Sequence, residues 1–330
     1  MTFAAGVASE SFLPARNHPL NQSPLYKVES RRKLATLLFS DLSNLQALAN
    51  HQQDNYRNFN LVHADKNRSI ELPKPALQRV HRRLFHLLDV LEKPDYLHSG
   101  RKQRSYITNA RVHLGAVPLV KLDIEKFYAS VSSARVYRFF SEVMRCSPDV
   151  AAVLSKLCTA NDHLPIGSCA SQLLAFFSAK PMFDELHRHS LKCGLRDSYY
   201  VDDLTWSGVE ATRSFLWAAK QIVHHHGFKY HGARVYTADQ AKVVTGVLIS
   251  GNRLRVQRNR ELELWNAVNA LDWRSPSAAL KAIDRLIGKS SANAQIDERF
   301  VQRTRQLRAQ KLEMLSAQRF IETAQPPVSP

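Results

Sequence analysis

Asp197-Ser198-Tyr199-Tyr200-Val201-Asp202-Asp203-Leu204-Thr205-Trp206-Ser207-Gly208 places two adjacent carboxylates between two β-prone runs. Neighbouring like charges repel, so something must neutralise them. Side chains alternate faces along a strand, and both carboxylates serve one site only if a tight turn breaks the alternation near Val201 and Asp202. Two readings fit this stretch. It is an ordinary polar hairpin tip, since Asp is common in turns, or it is a divalent-cation site, since Mg²⁺ takes one or two carboxylates plus substrate phosphates. The rest of the chain has to decide.

The chain has 330 residues, enough for two or three packed units around a substantial core. At 44% hydrophobic and 23% charged residues it has the composition of a globular protein. No apolar run reaches the length of a membrane span, and Met1 to Pro14 lacks a basic-then-apolar signal pattern, so a cytoplasmic location without a membrane partner is expected. Forty-six Lys and Arg against 29 Asp and Glu give a net charge of +17, which points to an anionic polymer, best a nucleic acid, as partner. Cys146, Cys158, Cys169 and Cys193 form no CxxC pair, which argues against a zinc knuckle, and the expected compartment argues against disulfides, so they read as buried or free thiols.

Upstream of the hairpin, Leu34, Leu37, Leu38, Leu42, Leu45 and Leu48 predict one apolar helical stripe beginning at Arg31. Tyr56 to Leu72 reads as extended, and Arg68-Ser69-Ile70-Glu71-Leu72-Pro73 leads into a second helix whose packed face carries Leu77, Val80, Leu84, Leu87, Leu88 and Leu91. Val117 to Leu122 is a short apolar run broken by Lys121 and reads as a buried strand that delivers Asp123 at its end. Two helical stretches, 133–145 and 148–159, lead to Leu164-Pro165-Ile166-Gly167-Ser168, a small-residue turn opening the apolar segment 173–186. Helix starts bind phosphate, yet the same pattern also simply caps a helix.

Downstream, residues 211–226 predict an amphipathic helix. Consecutive His224, His225 and His226 at its end point in different directions rather than at one metal. Strand-like runs follow at 234–236, 243–249 and 253–256. The final 75 residues are mainly helical and basic, with Arg255, Arg258, Arg260, Arg299, Arg303 and Lys311 among the cations.

Asp123 at a strand end, a Pro-Gly turn opening a helix and a Tyr-x-Asp-Asp hairpin occur in that order, with Asp123 and Asp202 far apart in sequence. This ordered set resembles the palm of reverse transcriptases. Asn109-Ala110-Arg111-Val112-His113 matches an NAxxH pattern and Val244-Thr245-Gly246 a VTG pattern, which narrow the resemblance to bacterial retron reverse transcriptases over roughly residues 56–259. The resemblance implies an α+β right-hand polymerase fold with fingers, a palm of antiparallel sheet plus helices, and a helical thumb. The domain layout expected with it is a partly irregular leader at 1–30, read from its prolines and lack of periodicity, N-terminal helices and fingers at 31–115, the palm with interleaved fingers elements at 116–250, a basic helical thumb at 251–323, and a disordered tail at 324–330, read from its terminal prolines.

The activity so implied is RNA-directed DNA synthesis, copying a cognate structured non-coding RNA into multicopy DNA joined to RNA. Two Mg²⁺ ions, with Mn²⁺ as an alternative, would assist, and the resemblance implies an anti-phage role alongside a separate effector protein. Asp123, Asp202 and Asp203 are the implied catalytic and metal-holding residues, with Ile124 counted among both the metal and the deoxynucleotide contacts. Tyr128 matches the aromatic that excludes a 2′-hydroxyl, and Gly167 and Arg68 are further substrate contacts. Asn109, His113, Val244, Thr245, Gly246, Arg255 and Arg258 are implied nucleic-acid contacts. Ile166 and Gln172 depart from the family's usual Gln and Pro, and either Lys229 or Arg234 stands where a lysine usually approaches the phosphates. Other bacterial reverse transcriptases, of group II intron, diversity-generating or CRISPR-associated type, and a mainly RNA-binding antitoxin component are the competing readings.

Overall fold

The computed structural model describes residues 17–63, 66–271 and 276–324. The expected leader up to residue 16 and the tail from residue 325 lie outside these. In chain order come helices α1 (Arg31–Leu37) and α2 (Leu42–Asn50), strands β1 (Tyr56–His63) and β2 (Lys66–Pro73), helices α3 (Pro75–Asp89) and α4 (Tyr106–Arg111), and strand β3 (Leu119–Ile124). Helices α5 (Phe127–Ser130), α6 (Ser133–Arg138), α7 (Pro148–Cys158) and α8 (Ser171–Lys192) precede strands β4 (Arg196–Tyr200) and β5 (Asp203–Ser207). Helix α9 (Arg213–His225) is followed by strands β6 (Tyr230–Tyr236), β7 (Lys242–Val244), β8 (Val247–Ser250) and β9 (Arg253–Arg255), then helices α10 (Arg258–Asn269), α11 (Pro276–Ala294) and α12 (Arg299–Ala324). All three sheets pair antiparallel, and the fold class is α+β.

The chain divides into two units: Met1–Asp95 with Lys126–Asp184, and Tyr96–Glu125 with Glu185–Pro330. In the first, the expected single stripe from Arg31 is broken into two helices. Phe39 turns left-handed at φ 52°, and Asp41 stands at the N-cap of α2, so Leu34, Leu38, Leu45 and Leu48 are buried from two helices instead of one. β1 and β2 form a hairpin from Tyr56↔Pro73 to His63↔Lys66. α3 buries Leu77, Val80, Leu84, Leu87 and Leu88, with Leu91 buried just beyond it, the face that its periodicity predicts. The predicted 133–145 helix is α for six residues and then turns into a π-helical stretch, Phe139–Val143.

In the second unit a four-stranded sheet has the order β4-β5-β3-β6, so β3 is central and delivers Asp123 between β5 and β6. Trp206 and Tyr199, fully buried, meet edge-to-face beneath the β4–β5 hairpin with ring centroids 5.8 Å apart. The predicted 243–249 run is two strands, not one: Thr245 and Gly246 both take positive φ, 45° and 78°, and reverse the chain between Val244 and Val247. The sheet β7-β8-β9, α4 and the C-terminal helices share one core that includes Ile107, Ala110, Val244, Val247, Leu264 and Phe300. His224 packs on the Tyr230 ring and His226 Nε2 lies 2.8 Å from Glu185 Oε2, so the histidine triplet diverges.

Candidate active site

The β4–β5 hairpin turns over two residues, Val201 and Asp202, with Tyr200 paired to Asp203. Val201 sits at φ 59°, a conformation that costs a β-branched residue roughly 1–2 kcal/mol. Its N–H donates to Ser99 Oγ at 3.0 Å, and the Ile124 N–H donates to the Asp202 carbonyl at 2.9 Å, so the tip is pinned on both sides. β3 pairs with β5 in the register Asp123↔Asp203, which sets those two carboxylates across from each other on one face. The tight turn expected from the adjacent aspartates is what puts Asp202 beside them.

The charges at this face are partly balanced. Lys121, two residues before Asp123 and therefore on its face, reaches Asp203 Oδ2 at 2.9 Å, and the Thr205 hydroxyl donates to Asp203 Oδ1 at 3.3 Å. His231 Nδ1 lies 3.6 Å from Asp123 Oδ1. That Asp123 oxygen is itself buried and makes no hydrogen bond among the described residues. Burial first, and then the Asp202 and Asp203 charges, push the Asp123 carboxyl up to about 6, with His231 and Lys121 opposing them. Among the described residues no three His, Cys, Asp or Glu side chains are gathered closely enough to hold a metal ion. Ile124 is fully buried and has only its backbone carbonyl to offer one.

Lys121 and His231 were not among the expected site residues. Lys121 was legible, because strand alternation places it on the face of Asp123; His231 was not, since its approach depends on the β3–β6 pairing and the irregularity between Asp123 and Ile124. That pairing also sets Arg234 opposite Lys121 and Gly232 opposite Asp123, so Arg234 shares the carboxylate face, while Lys229 precedes the strand and gives its carbonyl to the Glu125 N–H.

The NAxxH segment lies behind the hairpin. His113 Nδ1 is 2.7 Å from Ser207 Oγ on β5, and His113 Nε2 is 2.8 Å from Ser198 Oγ on β4. The Ser198 hydroxyl donates to the Asn109 carbonyl at 3.4 Å, so it accepts from Nε2–H, and Nδ1 accepts from Ser207. One imidazole thus clips both strands of the carboxylate hairpin. Its burial holds it down to about 3. Asn109, His113 and Val244, expected as nucleic-acid contacts, are wholly buried. The Asn109 side-chain amide has no hydrogen-bond partner among the described residues.

Thr245 and Gly246 form the β7–β8 turn, with the Thr245 hydroxyl donating to the Tyr106 carbonyl of α4 at 2.7 Å. Arg260 covers Gly246, its Nη2 2.5 Å from where a Cβ would stand. Arg255, expected to face nucleic acid, is half-buried with Nη1 3.4 Å from Asp297 Oδ2; Arg258 is exposed. In the first unit, Arg68 is exposed on β2, Tyr128 is half-buried on α5 beside Phe127, and Gly167 is exposed in the turn before α8.

No family model matches the chain. It is 31% identical over 194 residues to the retron Se72 reverse transcriptase of Salmonella heidelberg, covering 57% of this chain and 49% of that protein. It is 26% identical over 188 residues to the retron Ec86 reverse transcriptase of Escherichia coli, covering 55% and 58%, and 23% identical over 321 residues to the retron Mx162 reverse transcriptase of Myxococcus xanthus, covering 84% and 66%. The chain spans about half the length of the first of these relatives. Among solved structures, apo telomerase from Candida tropicalis aligns with a TM-score of 0.49 at 10% identity over 72% of this chain and 52% of that one. By sequence, the chain is similar to several retron reverse transcriptases.

Proposed function

We propose that this protein is an RNA-directed DNA polymerase of the retron kind, which copies a cognate structured RNA into DNA joined to that RNA. The observation that carries the reading is the register Asp123↔Asp203 with Asp202 in the adjoining turn, in a chain similar to several retron reverse transcriptases. Phosphoryl transfer asks a protein chiefly for positioning and charge neutralisation, and clustered carboxylates serve that need through divalent cations. Hard carboxylate oxygens are the donor type such ions take, and one of them, Asp123 Oδ1, is buried without a hydrogen bond among the described residues, although the three carboxylates are not drawn together as a closed metal site. Asp123 and Asp202 would hold Mg²⁺, which would lower the barrier to attack by the primer hydroxyl and stabilise the departing pyrophosphate.

The chain's own groups supply the rest. Lys121 holds Asp203 in place, His113 holds the two hairpin strands together, and Arg234, opposite Lys121 on β6, would meet the triphosphate. Arg68, Tyr128 and Gly167 would meet the deoxynucleotide, with the Tyr128 ring excluding a 2′-hydroxyl. Fingers, palm and thumb would follow the bounds given by the resemblance, and the net charge of +17 suits phosphate contacts along an RNA-containing duplex. A separate effector and a part in anti-phage defence complete the reading. No helix among the described residues is long and apolar enough to cross a membrane.

The test is to purify the protein with the RNA that accompanies it, add deoxynucleotides and Mg²⁺, and sequence the product. DNA covalently joined to that RNA is the expected outcome. DNA copied from unrelated repeats or spacers would transfer the chain to another class of reverse transcriptase.

A further inference from the structure

The turn that opens α8 is held from outside by two side chains that no motif marks. Glu71 on β2 is buried, and its backbone N–H donates to the Ile166 carbonyl at 2.8 Å. Its carboxylate accepts from Asn161 Nδ2 at 3.3 Å and lies 2.9 Å from His163 Nε2. Asn161 and Asp162 are both left-handed, at φ 48° and 62°, a conformation these two residue types tolerate, and Ala160 and His163 exchange backbone hydrogen bonds of 2.9 Å across the reversal. Glu71 therefore fastens the turn at both ends of the segment 161–166.

His81 on α3 fastens the other side. Its Nε2 lies 2.7 Å from the Leu157 carbonyl, which only accepts, so Nε2 carries the proton and Nδ1 accepts from the Ser168 hydroxyl at 2.8 Å. Burial keeps the ring neutral, holding it down to about 4. Within the turn the Ser171 hydroxyl donates to the Pro165 carbonyl at 2.8 Å. Gly167, at φ 131°, has its Cβ position 2.9 Å from the Glu71 carbonyl oxygen, so no side chain fits there.

This arrangement bears on the Ile166 departure. The Ile166 carbonyl is already taken by Glu71, and the residue, 39% exposed, offers an apolar surface. Such a surface selects a ligand by shape, which depends on where it is held, and a misplacement of about 1 Å can cost as much as 10²-fold in rate. We propose that Glu71 and His81 are positioning residues that fix the 161–168 turn for deoxynucleotide binding. This rests on the polymerase reading above.

The experiment measures kcat and KM for deoxynucleotide incorporation on a primed RNA template, with thermal midpoints, for the full chain and for Glu71→Ala, Glu71→Gln and Ser168→Ala. Glu71→Ala is expected to raise KM about tenfold with kcat within about twofold. Glu71→Gln, whose amide oxygen still accepts from Asn161, restores most of that loss. Ser168→Ala raises KM about threefold with a lowered midpoint but a chain still folded at the assay temperature, and it decides the matter if Glu71→Ala does not fold. An active wild type with unchanged KM in the variants overturns this inference alone. A wild type that incorporates nothing overturns the polymerase reading and this inference together.

Discussion

The β4–β5 and β7–β8 hairpins both turn over two residues, and each puts a β-branched residue, Val201 or Thr245, in the left-handed region. What surrounds the turns differs. At Thr245 the side chain itself is satisfied, by the Tyr106 carbonyl, and Gly246 takes the second left-handed position under Arg260. At Val201 the side chain has nothing to bond, only the backbone N–H is held, by Ser99, and the next two residues are carboxylates facing a third across the sheet. One hairpin spends its local chemistry on staying folded; the other holds carboxylates in mutual repulsion and is steadied from behind by His113.

If that contrast is right, substitutions in the two hairpins should fail in different ways. Asp123→Asn should lower DNA synthesis by about 10³-fold or more while its thermal midpoint stays level or rises, because a repelling charge has gone. A midpoint that collapsed with the activity would make Asp123 a structural residue. Gly246→Ala should fail through the fold. The Arg260 guanidinium can swing aside, but the φ of 78° remains, so stability should drop by about 1–2 kcal/mol in chemical denaturation, a loss that Asp123→Asn does not show.

The His113 clip makes a prediction in pH. Its folded-state value of about 3 lies below the ordinary 6.5, so the unfolded chain takes up the proton first, and the stability it contributes is complete above pH 6.5 and lost as pH falls towards 3. Denaturation series should show His113→Gln flattening that acid-side slope by up to about 1.4 kcal/mol per pH unit. His81, held down to about 4, contributes a similar slope and remains in both proteins. An unaltered slope would mean that His113 is not buried neutral. Val201→Asn is the smallest test: a residue at ease with φ 59° should add about 1 kcal/mol of stability and leave synthesis within about twofold. A large loss of synthesis would instead show that strain at Val201 contributes to the chemistry.

The same contrast explains what could be read before the fold was known. The arrangement of Asp202-Asp203 around a strand-end Asp123 was legible, because a tight turn between two β-prone runs and strand alternation fix which faces the carboxylates take. The α3 stripe was legible for a similar reason, as every member from Leu77 to Leu88 is buried. The break between α1 and α2 was hidden, since the leucine spacing runs on through it and only Phe39 and the Asp41 cap divide it. The strand-like run 243–249 concealed a reversal because Thr and Val look alike in a strand pattern, leaving Gly246 as the one signal of a turn. His113, His231 and Glu71 act through partners 85 or more residues distant in the chain, and no local pattern reports those contacts.

Deoxynucleotide incorporation by the purified protein on a primed RNA template with Mg²⁺, wild type beside Asp202→Ala, tests the central claim most directly. The account predicts processive, template-dependent synthesis by the wild type and none above background by a variant that folds equally well. Equal synthesis by both, or none by a folded wild type supplied with its own RNA, would contradict it.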